Sequence, residues 1–263
     1  MDSSTICDDS VNFINFLTLF TFLVDFSFEK QENRENAFSE RTMMVMSQYQ
    51  AILFDLDGTL LNTLQDLTDA TNAALRRFGC PERSIGEIRS FVGNGARNQI
   101  RLSLPGRDDD PDLDAVLEWY KAYYAEHCQI KTAPYPGIAE LLERLKGEWP
   151  MAIVSNKPDN AVKKLCAEHF PGIFALGEAP GCPRKPAPDM VFAAMKAIGV
   201  ETCIYVGDSE VDIRTAGNAK VPCISVLWGF RDRDVLEAEG GAHFCVKPAE
   251  LPAILDNIDL KDR

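Results

Sequence analysis

QAILFDLDGTLLNT, residues 50–63, places four apolar residues directly before the acidic pair Asp55 and Asp57. An apolar run of this length predicts a strand buried on both faces, as in a parallel sheet. The carboxylates then lie at the carboxyl edge of the sheet, where open α/β folds bind ligands, and they stay ionised together only when a cation joins them. Gly58 permits a sharp turn, and Thr59 offers a hydroxyl and an amide to an anion. An ordinary Asp-Gly turn would explain Gly58, but not an aspartate two residues earlier at the mouth of a buried strand.

Downstream of residue 131, apolar strand patterns alternate with helical patterns. Strands are predicted at 151–154, 173–176, 203–206, 223–227 and 243–246. Helices are predicted at 138–146, 161–170, 189–198, 211–219 and 234–239. This alternation is typical of the α/β class, with a parallel sheet that carries helices on both faces.

Between these strands and the first one, the chain shows helical signals alone. Residues 60–78 and 113–127 have apolar positions at helical spacing, and no strand pattern occurs between 60 and 131. We therefore predict an all-helical insert at 66–131, large enough for a small bundle, within a core formed by 48–65 and 132–263.

Residues 1–47 differ from the rest of the chain. The segment 11–28 is rich in Phe and Leu but is interrupted by Asn12, Asn15 and Asp25, and no Lys or Arg occurs in the first ten residues. This pattern is a poor match to a spanning helix or a secretory signal. We predict a dispensable extension or a mis-assigned start, with a membrane anchor as the alternative.

Composition narrows the class of protein. The formal net charge of −13 argues against general binding to nucleic acid or to anionic membranes, and does not exclude a phosphorylated metabolite as substrate. The eight cysteines are scattered without a CxxC pair, and three histidines give no zinc-like cluster. We expect reduced thiols in a cytoplasmic monomer or homodimer.

Polar residues follow three more of the predicted strands. Ser155 and Asn156 follow 151–154, Lys185 lies in the proline-flanked RKPAPDMVF (184–192), and Asp208 and Asp212 follow 203–206. Each has an ordinary explanation: a turn or cap for Ser-Asn, an exposed turn lysine, and an N-cap or first-turn charge for the aspartates. Parallel strands, however, bring all of these positions to one edge of the sheet.

Together these stretches resemble, in order, the four motifs of the haloacid dehalogenase-like (HAD) superfamily: DxDGT[LV], a Ser or Thr, KPxP and GDxxxD. The resemblance implies a Rossmann-like core with a helical cap after the first strand, and a Mg²⁺-dependent phosphatase. Asp55 would be the nucleophile, and Asp57 the acid and base. Mg²⁺ would be bound by Asp55, the backbone carbonyl of Asp57 and Asp208, and Asp212 would act on the metal directly or through water. The phosphate oxygens would be held by Gly58, Thr59, Ser155, Asn156 and Lys185.

The cap carries a second resemblance. FVGNGARNQI (91–100) is similar to the VGNGA stretch of phosphoglycolate phosphatases, and VLWGFRDRD (226–234) resembles a loop beside their active site. The backbone of Gly93, Asn94 and Gly95 could approach a small anionic leaving group, and Arg97 could pair with its carboxylate. The alternative is a helix–helix turn with Arg97 in solvent.

The resemblance makes 2-phosphoglycolate the leading substrate. Pyrophosphate, a nucleoside monophosphate, a sugar phosphate and the β-phosphoglucomutase reaction are alternatives within the superfamily. A non-catalytic phospholigand-binding protein is the alternative from another class.

Overall fold

The computed structural model describes residues 49–258, so the predictions for 1–47 lie outside the described residues. The strands are β1 (Ile52–Phe54), β2 (Leu61–Asn62), β3 (Ala133–Pro134), β4 (Met151–Pro158), β5 (Phe174–Glu178), β6 (Ile204–Gly207), β7 (Cys223–Val226) and β8 (His243–Cys245). The helices are α1 (Leu64–Arg77), α2 (Ile85–Phe91), α3 (Gly95–Ser103), α4 (Leu113–His127), α5 (Ile138–Leu145), α6 (Asp159–His169), α7 (Asp189–Ile198), α8 (Glu210–Ala219), α9 (Arg233–Ala238) and α10 (Leu251–Leu255).

Six of the strands form one parallel sheet in the order β5-β4-β1-β6-β7-β8. The central strand β1 pairs on one side with β4 and on the other with β6, so that Ile52 lies beside Met151 and Ile204. All three residues of β1 are buried, as expected for a strand covered on both faces. Residues of α7 such as Met190 pack against one face. The predicted Rossmann-like α/β core is confirmed.

The sequence prediction was wrong over residues 60–63. These residues were assigned to the first helix, but α1 begins at Leu64, and Leu61 and Asn62 form β2. This strand pairs antiparallel with β3, in a two-stranded ladder. A tight turn precedes it, in which the Gly58 N–H donates to the Leu61 carbonyl at 2.9 Å. The partner strand is remote in sequence, so helical periodicity alone could not reveal the pairing.

Between β2 and β3 the described chain is helical, as predicted for the insert. Helices α1 to α4 pack on one another through buried residues such as Leu75, Ile88, Ile100 and Val116. Asp66, near the start of α1, accepts hydrogen bonds from the backbone N–H groups of Ile130 to Thr132. This carboxylate therefore ties together the two segments that connect the insert to the core.

Within residues 49–258, no helix combines the length and the apolar character needed to span a bilayer.

Candidate active site

Three buried carboxylates meet at the carboxyl end of the sheet. Asp55 follows β1, Asp208 follows β6, and Asp212 lies in the first turn of α8; each offers an oxygen within 4.8 Å of the others. Burial, together with repulsion from Asp212, raises the pKa of Asp55 to about 7, and Lys185 partly opposes this effect. Burial and the two neighbouring aspartates raise the pKa of Asp208 well above its usual range. A set of oxygen donors under this repulsion suits a hard divalent cation such as Mg²⁺.

Lys185 connects two of these carboxylates. Its ammonium donates to Asp55 Oδ1 and Asp212 Oδ1, each at 2.8 Å, and to the Tyr205 hydroxyl at 3.0 Å. Burial alone would lower the pKa of Lys185, but Asp212 and Asp55 raise it well above its usual range. Lys185 is therefore a fixed positive charge beside Asp55.

Glycines leave room for Asp208. Gly58 has a φ of +88°, and a Cβ at this position would lie 2.2 Å from Asp208 Oδ2. A Cβ on Gly229 would lie 2.3 Å from the Asp208 Cβ. The close backbone lets the N–H of Phe230 donate to Asp208 Oδ2 at 2.6 Å. A side chain at either glycine would displace a carboxylate of the cluster.

Asp57 lies beside this cluster with partners of its own. The Thr63 hydroxyl donates to Asp57 Oδ1 at 2.6 Å, and Lys157 Nζ is 3.1 Å from the same oxygen. The Lys157 ammonium also donates to the hydroxyl of Tyr124, on helix α4 of the insert, at 2.6 Å. The insert thus contacts the core directly next to Asp57.

One cavity joins these residues. Core residues Asp55, Asp57, Ser155, Lys185 and Asp208 line it from below, and Gly93, Gly95, Gln99, Tyr120 and Tyr124 of the insert line it from above. The core and the insert therefore form this cavity together.

Two of the residues predicted to hold phosphate oxygens have other partners in the structure. The Asn156 side chain accepts from the Lys185 N–H at 2.8 Å and donates to the carbonyls of Lys185 and Gly93. Its amide group therefore fixes the Lys185 loop to the insert. The Thr59 hydroxyl points to Asp208 Oδ1 at 3.4 Å and is buried. Ser155, which also lines the cavity, lies within β4 rather than after it, because this strand continues past Val154.

The structure brings some of the residues predicted in the insert to the cavity. FVGNGARNQI forms the α2–α3 turn, and its Gly93 and Gly95 line the cavity, whereas Asn94 is outside the cavity lining. Arg97, which was predicted to pair with the substrate's carboxylate, is not part of the cavity lining. Arg97 pairs with Asp114, and its side chain is 52% exposed. On α3, Ala96 and Gln99 face the cavity, and Arg97 lies on another side of the helix.

Sequence reasoning missed two cations at this site, Lys157 and Arg231. Arg231 lies 10% exposed and pairs with Glu210, and it donates to the backbone carbonyls of Arg89 and Val92 at 2.8 and 2.7 Å. These carbonyls belong to the C-terminal end of α2, so Arg231 fastens the insert to the core. Lys157 stands next to the Ser-Asn pair, and its position in the VSNK stretch is the signal that could have identified it.

Comparison with known proteins gives consistent matches. The family model of the haloacid dehalogenase-like hydrolases matches residues 52–226 of the sequence. Phosphoglycolate phosphatase 1 of Pseudomonas aeruginosa is 33% identical over 192 residues, which cover 68% of this chain and 70% of that protein. The phosphoglycolate phosphatase of Rhodobacter capsulatus is 34% identical over 190 residues, covering 69% and 85%. The crystal structure of a provisionally assigned phosphoglycolate phosphatase from Lactobacillus delbrueckii subsp. bulgaricus aligns with a TM-score of 0.73 and 39% identity, covering 78% and 98%.

Proposed function

Because the chain belongs to the haloacid dehalogenase-like hydrolase family, we propose that it is a Mg²⁺-dependent phosphatase that hydrolyses 2-phosphoglycolate. One observation carries this proposal: Asp55 and Asp57 line the same cavity, and the Lys185 ammonium forms an ion pair with Asp55 at 2.8 Å. The names of the relatives support the choice of phosphoglycolate.

The reaction begins at Asp55. A carboxylate oxygen of Asp55 attacks phosphorus, and the bond from phosphorus to the glycolate oxygen breaks. Asp57 gives its proton to the departing oxygen, so that glycolate leaves as the alcohol. Asp55 is then an aspartyl-phosphate.

The second half-reaction uses the same two residues. Asp57 removes a proton from a water molecule, whose oxygen attacks the phosphorus. The bond between Asp55 and phosphorus breaks, which frees inorganic phosphate and restores the carboxylate. Thr63 and Lys157 hold Asp57 in place for both proton transfers, at 2.6 and 3.1 Å from Oδ1.

Lys185 is the positive charge that faces the transferring group. Lys185 offsets the charge on Asp55 and on the phosphate oxygens, and Ser155 offers a hydroxyl at the cavity wall. Mg²⁺ would be held by Asp55, Asp208 and the backbone carbonyl of Asp57, and would offset the repulsion between the carboxylates and the phosphate. Both oxygens of Asp212 already accept hydrogen bonds, from Lys185 and Ser209, so Asp212 orients its neighbours.

We also infer that the protein is cytoplasmic, because the seven cysteines of the described residues are free thiols, which a reducing compartment maintains. The oligomeric state, monomer or homodimer, stays a prediction.

The test is phosphate release by the purified chain in the presence of Mg²⁺, with phosphoglycolate, pyrophosphate, a nucleoside monophosphate and a sugar phosphate compared. We expect phosphoglycolate to have the highest kcat/KM. Asp55→Asn should lower turnover by more than about 1,000-fold because it removes the nucleophile. Asp69→Asn, the same change at an exposed carboxylate, is the control. Near-normal turnover of Asp55→Asn would refute the covalent mechanism, and preference for another ester would refute the substrate.

A further inference from the structure

The cavity has cations that the phosphoryl group alone does not account for. Among the described residues that line it, three are positively charged: Lys157, Lys185 and Arg231. Phosphoglycolate has two anionic ends, a phosphate and a carboxylate. If the proposed function is correct, Lys185 beside Asp55 faces the phosphate, and another group must face the carboxylate.

The hydrogen bonds distinguish the three cations. An ammonium has three N–H donors, and Lys185 uses all three, on Asp55, Asp212 and Tyr205. Its charge beside Asp55 offsets that of the phosphate, but it keeps no N–H for a second anionic group. Arg231 uses four of its five N–H donors, two on Glu210 and two on backbone carbonyls of the insert, and Glu210 offsets its charge. Lys157 has two partners, Asp57 and Tyr124, and therefore keeps one N–H for a ligand.

Lys157 also stands at the right place along the substrate. Asp57 is the group proposed to meet the bridging oxygen, and Lys157 Nζ lies 3.1 Å from Asp57 Oδ1. In phosphoglycolate only one CH₂ separates the bridging oxygen from the carboxylate carbon. A carboxylate on the leaving group therefore lies close to Asp57, where Lys157 also lies.

Tyr124 completes this subsite. Its oxygen accepts a hydrogen bond from Lys157 at 2.6 Å, so its own hydrogen can be donated to another acceptor. Burial raises the pKa of Tyr124 well above its usual range, which keeps the hydroxyl protonated. The Tyr124 ring lies 4.5 Å from Lys157 Nζ and helps to fix the ammonium. Lys157 itself is almost fully buried, where hydrogen bonds to a charged group are strong.

We propose that Lys157 and Tyr124 bind the carboxylate of the substrate's leaving group and determine the specificity for phosphoglycolate. This inference rests on the proposed function and assigns to these two residues the contact that the sequence suggested for Arg97. Since Lys157 belongs to the core and Tyr124 to the insert, the carboxylate is bound where the two parts meet. An ester without a carboxylate would make neither contact.

The test compares phosphoglycolate with ethyl phosphate, which has a methyl group in place of the carboxylate. For each variant the measured quantity is the ratio of kcat/KM for the two esters, because Lys157 also touches Asp57 and its loss slows both reactions. Lys157→Met should lower this ratio by about 10- to 150-fold, the value of a hydrogen bond to a charged group. Tyr124→Phe keeps the ring and should lower it by about 2- to 12-fold. Lys163→Met, the same change at an exposed lysine of α6, should leave the ratio unchanged.

The outcomes separate this inference from the proposed function. If both variants slow the two esters by the same factor, Lys157 and Tyr124 only support Asp57, and the inference is overturned while the phosphatase stands. If the wild type hydrolyses both esters with equal kcat/KM, the protein does not recognise the carboxylate, and the inference is also overturned. If the wild type hydrolyses neither, the proposed function itself fails. Should Lys157→Met be insoluble, the Tyr124→Phe ratio decides.

Discussion

Replacing Asp66 by Asn should destabilise the protein through the junction between the insert and the core. Asp66 is 3% exposed, and its carboxylate accepts from the backbone N–H groups of Ile130, Lys131 and Thr132 and from the Thr132 hydroxyl, all at 2.9–3.0 Å. An Asn oxygen can accept some of these hydrogen bonds, but without the negative charge. Each bond then loses about 1–1.5 kcal/mol, the difference between a charged and a neutral acceptor.

Because the four donors share one acceptor, the losses do not simply add, and we expect about 2–4 kcal/mol in total. At about 2–4 °C for each kcal/mol, Tm should fall by about 4–16 °C. The assay is urea unfolding at neutral pH followed by far-ultraviolet circular dichroism, with thermal unfolding in parallel.

Asp69→Asn is the matched control, because Asp69 lies on the same helix and also contacts Lys131, through an ion pair whose side chains are about half exposed. Such a pair is worth at most about 1 kcal/mol. Equal losses in Asp66→Asn and Asp69→Asn would show that the charge of Asp66 does not hold the junction.

Three further predictions concern the site. Arg97→Ala should leave kcat/KM for phosphoglycolate within about fivefold of the wild type, because Arg97 forms an exposed ion pair with Asp114. A larger loss in steady-state kinetics would mean that Arg97 contacts the substrate, as expected from the sequence. Arg231→Gln should raise KM by about tenfold because the insert loses its attachment to the core, and an unchanged KM would contradict that role. A chelator should abolish phosphate release, and Mg²⁺ should restore it. Mg²⁺ should also raise the Tm of the wild type but not of Asp208→Asn, and equal shifts would mean that the ion binds elsewhere.

The core could be predicted because its signals are local. Each strand of the parallel sheet is an apolar run such as 151–154, and helical periodicity follows it in the sequence. The errors occur where the structure depends on a distant partner. Leu61 is completely buried, as a helical position would also be, and only its pairing with Pro134 makes it a strand. The end of β4 is similar, since pairing of Pro158 with Glu178 across a bulge extends the strand beyond Val154.

The site shows the same difference between residues with a local sequence signal and residues whose role depends on a distant partner. Asp55 and Asp208 could be identified because each directly follows a strand pattern, which fixes its position at the sheet edge. For Arg97 the turn could be predicted, since Gly93 and Gly95 do face the cavity, but the side of helix α3 on which the side chain lies could not. The role of Lys157 was not predicted, because only the folded structure brings Tyr124, from a separate helix, within hydrogen-bond distance of its ammonium.

The charges at the site link binding of the metal to binding of the substrate. With Asp57 protonated as the acid, Asp55, Asp208 and Asp212 contribute three negative charges when ionised, and Lys157 and Lys185 contribute two positive ones. Arg231 adds no net charge because Glu210 balances it. One Mg²⁺ would outweigh this excess of one negative charge, and without the ion an anionic ester would enter a repulsive field. Since coupling between two ligands is reciprocal, bound phosphoglycolate would also tighten the binding of Mg²⁺, which would favour the site with both ligands over the site with either ligand alone.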